Sequence, residues 1–360
     1  MALNASGALS LGGSTTGQSV NLELGKAATA TITMNDTDLR SLFGVASGQI
    51  SMSSGYGKSS YAYGGTKGLW AGGDTGPLTA MQTQIDGITF STEAAINPAA
   101  GLAQARRGVA GVNNTITGYF GGGRTGPTTN ATAVNQIDGI TFSTEAAIDP
   151  ATALSQQRYG AAPYNSATRG YFAGGLNNIT PPSGTRTADI LGIDFASATL
   201  IDPAANLVQA RHHIAGVNNN NTGFSAGGEA SPTATSAQID GLTFATEAAI
   251  DPAAALAVAR QGPGGAGSST RGYFAGGNTL TEIDGIEFAS QAAINPAAIL
   301  AQGRWTAGVS SPTVALYGGG GPPAATQIDG IRFSDEAAIN PAAGLAQARR
   351  YVGSVHDANN

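Results

Sequence analysis

Gly118-Tyr119-Phe120-Gly121-Gly122 decides the fold, because a version of it returns along most of the chain. The other copies are Gly68-Leu69-Trp70-Ala71-Gly72-Gly73, Gly170-Tyr171-Phe172-Ala173-Gly174-Gly175 and Gly223-Phe224-Ser225-Ala226-Gly227-Gly228. Gly272-Tyr273-Phe274-Ala275-Gly276-Gly277 and Leu316-Tyr317-Gly318-Gly319-Gly320 complete the set. Each reads as a short aromatic strand that stops on a glycine pair, where positive φ and close backbone approach are needed. The copies recur roughly every 45 to 53 residues, which is the length of a propeller blade.

Working outward from Tyr119, Arg107-Gly108-Val109-Ala110-Gly111-Val112 is a small-residue strand turned by Asn113-Asn114-Thr115. Thr117-Gly118-Tyr119-Phe120 follows, then a polar stretch, then a third strand at Gln136-Ile137-Asp138-Gly139-Ile140-Thr141-Phe142. A fourth segment, Glu145-Ala146-Ala147-Ile148-Asp149-Pro150, leads back to an arginine, Arg158. Four short strands with turn signals between them describe one antiparallel blade. Pro150 fits an outer edge strand or one helical turn capped by Asp149, and the residues leave both open.

This order of arginine, small strand, aromatic strand to Gly-Gly, Asp-containing strand and return to arginine resembles the kelch-type β-propeller repeat. The resemblance runs from Gly68 to the C-terminus. It departs from the family where Ile-Asp replaces the kelch Tyr-Asp pair, and where no tryptophan marks the fourth strand. The implied fold is all-β: a six-bladed kelch-like propeller over residues 68–360. Tyr351-Val352-Gly353-Ser354-Val355 follows Arg349-Arg350 and matches the first strand of blade 2 position by position, Val352 over Val109 and Val355 over Val112. It is therefore expected to return to blade 1 as its innermost strand, removing two open sheet edges.

The internal copies can be compared with one another. The Asp-Gly position reads Asp86, Asp138, Asp240, Asp284 and Asp329, with Leu191 as the exception. An acid present in nearly every blade is expected to hold backbone turns rather than to catalyse. The repeated Arg106, Arg158, Arg211, Arg260, Arg304 and Arg349 are expected to tie blades through carbonyls or through Glu93, Glu145, Glu247 and Glu336. Function should lie where copies differ. They differ in the loop after Gly-Gly and in the residue just after each repeated arginine: Arg107, Tyr159, His212, Gln261, Trp305 and Arg350. Alternating strand direction places both sets on one face, where aromatic and guanidinium groups suit a sugar or a polar surface. Loop tips also vary simply because they tolerate change.

Composition narrows the classes. Net charge is −6 with three lysines, which argues against nucleic acid. No apolar run is long enough to span a membrane. There is no cysteine, so thiol nucleophiles and Cys-based metal sites are excluded. Glycosidic chemistry needs two close carboxylates, and the unrepeated acids (Asp74, Asp194, Glu229, Glu282, Glu287 and Asp335) show no such context. His212 and His213 are adjacent, and in a strand they would point to opposite faces and share no ion. Neither an enzyme nor a cofactor or metal is expected.

Residues 1 to about 57 lack the repeat, and 58–67 read as a linker. Ser19-Val20-Asn21-Leu22-Glu23-Leu24 and Ala30-Thr31-Ile32-Thr33-Met34 alternate as strands do, and Asn35-Asp36 can cap a short helix from Thr37 to Phe43. A unit this small buries little surface and is marginal alone. Met34-Asn35-Asp36-Thr37-Asp38-Leu39-Arg40-Ser41-Leu42, Ala46-Ser47-Gly48-Gln49-Ile50-Ser51-Met52 and Tyr56-Gly57-Lys58-Ser59 resemble the leading segment of tailed-phage virion proteins such as tail fibres and neck appendages. That resemblance implies a virion location, with residues 1–57 docking on other virion proteins in several copies. The propeller would then bind a host-surface glycan or protein. A purely architectural collar or decoration protein is the alternative, and a polysaccharide-degrading enzyme a more distant one.

Overall fold

The computed structural model describes residues 66–357 except 77–79, 127–131, 151, 179–183 and 322, together with Leu11, Ser19, Val20, Thr29, Thr31, Thr33, Leu39 and Ser51. The chain divides into two compact units, Met1–Tyr63 and Gly64–Asn360. In the first unit Val20 is helical where alternation favours a strand, and Leu39 is helical as capping by Asn35-Asp36 predicts. Ser19 makes an isolated bridge, Thr31 and Thr33 are in no strand, and the rest of those expected strands and of that helix lies outside the described residues.

The second unit is all-β, six four-stranded antiparallel sheets in a ring. In blade 2 the order from axis to rim is Ala110–Asn113, Thr117–Gly121, Ile137–Thr141 and Ala147–Ile148. Blades 3 to 6 repeat this order. Blade 1 takes its second, third and outer strands from Lys67–Ala71, Ile85–Thr89 and Ala94–Ile96. Its inner strand is Gly353–His356, paired antiparallel so that Leu69 faces Val355. The two ends of the ring are thus zipped into one sheet. The inner strand begins at Gly353 rather than Tyr351, because Tyr351 takes φ 56° and cannot extend a strand. Lys67, expected at the end of the linker, already belongs to blade 1. Outer strands stop before the Asp-Pro or Asn-Pro pair, so Pro150 lies just beyond the edge strand Ala147–Ile148 and in neither a strand nor a helix.

The core is six wedges between neighbouring blades rather than one central mass. Side-chain alternation along each second strand explains this. Tyr119 faces the following blade and stacks on Phe195, while Phe120 faces the preceding one and joins Leu69 and Val355. Tyr171 on Phe244, Phe224 on Phe288 and Tyr273 on Phe333 repeat the stack. Gly118 is required by the same packing, since a Cβ there would lie 2.6 Å from Val355.

The Gly-Gly signature is a clamp between blades. Gly122 and Gly123 have φ 68° and 96°, and the Gly123 N–H donates 2.6 Å to the carbonyl of Arg158 in the next blade. Gly73 to Arg106, Gly175 to Arg211, Gly228 to Arg260, Gly277 to Arg304 and Gly320 to Arg349 do the same around the ring. The repeated arginine is buried in every blade. Arg106 donates 2.7 Å to Asp138, Arg304 donates 2.5 Å to Asp329, and Arg211, Arg260 and Arg349 bind Asp240, Asp284 and Asp86. The same aspartates accept a backbone N–H from the incoming crossover, Val208 to Asp240 at 2.9 Å and Ala346 to Asp86 at 2.9 Å. Burial raises the carboxyl pKa of Asp86 and Asp240 and lowers that of Arg349 and Arg211, with the mutual attraction opposing both.

Carbonyls are among the expected partners of these arginines, and Arg349 does donate to Gly72 and Gln84. The glutamates are not the acids they reach. Glu145, Glu247 and Glu336 sit at positive φ in the outer hairpins and are bound by Lys67, Arg169 and Arg271 of the preceding blade at 2.6, 2.7 and 2.7 Å. These half-buried ties join blades 1 to 2, 3 to 4 and 5 to 6 near the surface, and each is worth about 0–1 kcal/mol.

Candidate functional site

Each crossover enters its inner strand through one residue, and backbone hydrogen bonds run from one such residue to the next between Tyr351 and Thr306. Gly108 N–H donates to Tyr351 O at 2.7 Å, Gly160 to Gly108 at 3.0 Å, and His213 to Gly160 at 2.7 Å. Gly262 donates to His213 at 2.9 Å and Thr306 to Gly262 at 3.3 Å. A collar of backbone hydrogen bonds therefore pinches this end of the central channel. The collar needs left-handed backbone: φ is 65°, 67°, 54°, 68° and 56° at Gly108, Gly160, His213, Gly262 and Tyr351. Three of these positions are glycine, and His213 and Tyr351 hold the same conformation against a steric cost of about 1–2 kcal/mol each.

The six residues singled out after the repeated arginines immediately precede the collar, so the structure does gather them at one end of the ring. They are not equally accessible. Arg107, Tyr159 and His212 are buried, while Gln261, Trp305 and Arg350 are half-buried. Tyr159 folds over Gly108 and Trp305 over Gly262, where no Cβ would fit. The expected shallow mouth is thus filled by its own side chains. His213 and Tyr351 come from blades on opposite sides of the ring, with ring centroids 5.9 Å apart. Trp305 meets His213 edge-on at 4.6 Å and Tyr351 at 4.8 Å. Arg107 and Arg350 lie over Tyr351 at 4.9 and 5.4 Å, and both bind the buried Asp74, Arg350 at 2.6 Å. Arg124 covers Tyr159 at 4.8 Å.

The loop after Gly-Gly rises beside this cluster, on the same face. Isolated bridges Arg107 to Arg124, Tyr159 to Leu176 and His212 to Glu229 join the two variable sets. In blades 2, 3 and 4 the loop is a small two-stranded ribbon, Arg124–Thr125 with Thr132–Ala133, Leu176–Asn178 with Thr185–Arg186, and Glu229–Ser231 with Ala234–Thr235. In blade 5 it shrinks to a turn closed by Leu280 N–H to Gly277 O.

Below the collar the inner strands enclose a channel of about 120 Å³ lined by Val109, Pro163, Gly216 and Ala266 among others. That is smaller than the roughly 300–1,000 Å³ of ordinary ligand pockets. At its far end Asn113, Asn165 and Asn218 accept backbone N–H groups from the preceding blade, His356 to Asn113 at 3.2 Å and Asn165 to Asn218 at 3.1 Å. Burial lowers His356 to about 4. An unfolded chain takes up that proton nearer 6.5, so stability is full above about pH 6.5 and is lost as pH falls toward 4. The melting temperature should fall by a few degrees over that window, on the order of 2 kcal/mol. His356→Asn, which copies blades 2 to 4, should shrink the fall, and an unchanged profile counts against His356 as its source.

Adjacency misleads at His212 and His213. They do not alternate as in a strand, because His213 is left-handed and its ring folds back to 4.1 Å from His212. Burial lowers His212 to about 4 and holds His213 well below 6.5. Asp74, Arg124, His213 and Tyr351 escaped the reading by position. The available signal was the residue two after each repeated arginine, where glycine gives way to His213, Thr306 and Tyr351.

No protein-family model matches the chain, and no curated protein is similar to it. Among similar solved structures is one titled "Structure of YjhT", a bacterial propeller protein, at 14% identity and TM-score 0.61, covering 76% of this chain and 96% of that one. A likeness at that identity shows the fold, a six-bladed β-propeller.

Proposed function

We propose that the chain is a phage virion appendage in which residues 1–57 seat the protein on the particle and the propeller presents a binding face to a host or particle surface. The observation that carries this is the leader sequence, with Gly48-Gln49-Ile50-Ser51-Met52 followed by Tyr56-Gly57-Lys58-Ser59, set before a ring that closes on itself. A self-closed ring needs nothing from the leader to complete its sheets, which frees the leader for attachment. The arginine end supplies the face, with three ribbons beside half-buried Trp305, Gln261 and Arg350. Two of the unrepeated acids on that face are engaged by arginines, Asp74 by Arg107 and Arg350, and Glu229 by Arg186. That favours binding over two-carboxylate hydrolysis.

Particles lacking the protein should incorporate the full chain and fail to incorporate residues 64–360 expressed alone. Equal incorporation of the two overturns the proposal. If the face binds the host, Trp305→Ala should weaken adsorption of the purified protein to host cells by about 30-fold, the usual loss of an aromatic anchor worth about 2 kcal/mol. Unchanged adsorption, with assembly failing when the protein is absent, would favour the architectural reading.

A further inference from the structure

We propose that blade 4 carries a divalent transition-metal site of the zinc(II) class, formed by His212, His213 and Glu229. One ligand atom from each residue lies within 4.8 Å of the others. Donors about 2 Å from a tetrahedral zinc ion sit roughly 3.3 Å apart, so small side-chain rotations close the set. Two imidazoles and a carboxylate are a familiar zinc donor set that leaves a fourth position for water or an outside ligand.

The backbone holds these donors with little freedom. His212 and Glu229 face one another across an antiparallel bridge, Glu229 N–H to His212 O at 2.8 Å and the return bond at 3.2 Å. His212 Nδ1 lies 3.4 Å from the Glu229 carbonyl, which orients Nε2 away from the backbone, as outer-shell carbonyls do at metal-bound histidines. His213 is fixed on both sides by collar hydrogen bonds and turned back by its left-handed φ. Arg186 binds one Glu229 oxygen, the outer-shell role that orients a ligating carboxylate.

The second, independent observation is an unmet need. Both ring nitrogens of His213 are buried without a hydrogen bond of normal geometry; the Gln261 side chain interacts with the ring, and it can serve one nitrogen and leaves the other without a partner. A buried polar atom left unpaired costs about 1–3 kcal/mol, and here it adds to backbone strain. Glycine occupies this collar position in three blades and would carry neither cost. Comparison between blades isolates the feature. The three corresponding positions carry Arg107, Gly108 and Arg124 in blade 2, and Arg350, Tyr351 and Asp74 in blade 1. Of these three blades, only blade 4 brings nitrogen and carboxylate donors together there.

The test is titration of metal-stripped full-length protein with Zn²⁺ by calorimetry, and with Co²⁺ by visible absorption. The wild type should bind one zinc ion per chain at micromolar concentration or tighter and develop cobalt d–d bands. Co²⁺ should also quench Trp305, which touches His213. His213→Gly restores the collar residue of the other blades, so it should fold at least as well and bind zinc more than about 100-fold more weakly, beyond the loss expected for an outer-shell partner. Glu229→Gln should weaken binding similarly, and His356→Asn should leave it unchanged. Zinc should raise the melting temperature of wild type and leave that of His213→Gly where it was. Absence of saturable zinc binding, or equal binding by His213→Gly, overturns the site.

Discussion

A chain ending at residue 348 should fail to melt cooperatively or should be insoluble, whereas one ending at residue 357 should melt as the full chain does. The shorter chain loses Gly353–His356, the inner strand of blade 1, and leaves the backbone of Lys67–Ala71 without its partner. It also loses Arg349 from Asp86, stranding a carboxylate that is almost fully buried, and Arg350 from Asp74, which keeps Arg107 as its partner. Removing one member of a buried pair costs about 3–5 kcal/mol. That loss, with the whole inner-strand pairing gone and Val352 and Val355 withdrawn from the wedges on either side, matches much of the roughly 5–15 kcal/mol that stabilises a typical domain. Calorimetry and sedimentation of the two truncations would decide it. A sharp transition within a few degrees of wild type for the shorter chain would mean that the ring is self-sufficient without its closing strand.

The blade count and the return of the C-terminus were legible because both rest on repeated patterns. Val352 over Val109 and Val355 over Val112 identify an inner strand without reference to its partner, and a propeller has one vacancy for it. The arginine partners were not legible in the same way. Asp138 and Glu145 both recur, and sequence spacing cannot tell which carboxylate a crossover arginine reaches. The structure shows that strand alternation turns Asp138 toward the crossover, while left-handed Glu145 projects from the outer hairpin toward Lys67. The candidate face was half legible. Variation after each arginine marked six positions that the structure gathers at one end of the ring, but it could not reveal that Arg107, Tyr159 and His212 fold beneath the surface. The collar was also hidden, since His213 and Tyr351 look like strand residues until they are set against Gly108, Gly160 and Gly262. An ordinary alternation rule fails at a left-handed residue, and the histidine pair fell there.

The ion pairs between crossover and third strand allow one blade to serve as the control for another. In blade 4, Asp240→Leu should cost about 3–5 kcal/mol, because it leaves the Arg211 guanidinium buried without its acid. Arg211→Met should cost a similar amount by stranding Asp240. The double variant should recover most of the loss, since a buried pair exchanged for packed apolar groups is often neutral. Blade 3 has already made half of that exchange. Leu191, buried at 2%, occupies the aspartate position, and Arg158 reaches Asp189 at 3.6 Å, where the carboxylate is 43% exposed. Arg158→Met strands no buried charge and gives up mainly its hydrogen bond to the Gly174 carbonyl at 3.1 Å. That places its cost at about 1.5–3 kcal/mol, the size of one charge-assisted bond. Urea denaturation of the four variants measures the contrast directly. If Arg158→Met proved as damaging as Arg211→Met, the arginines would owe their place to the carbonyls they bind, and the repeated aspartate would be secondary to the clamp.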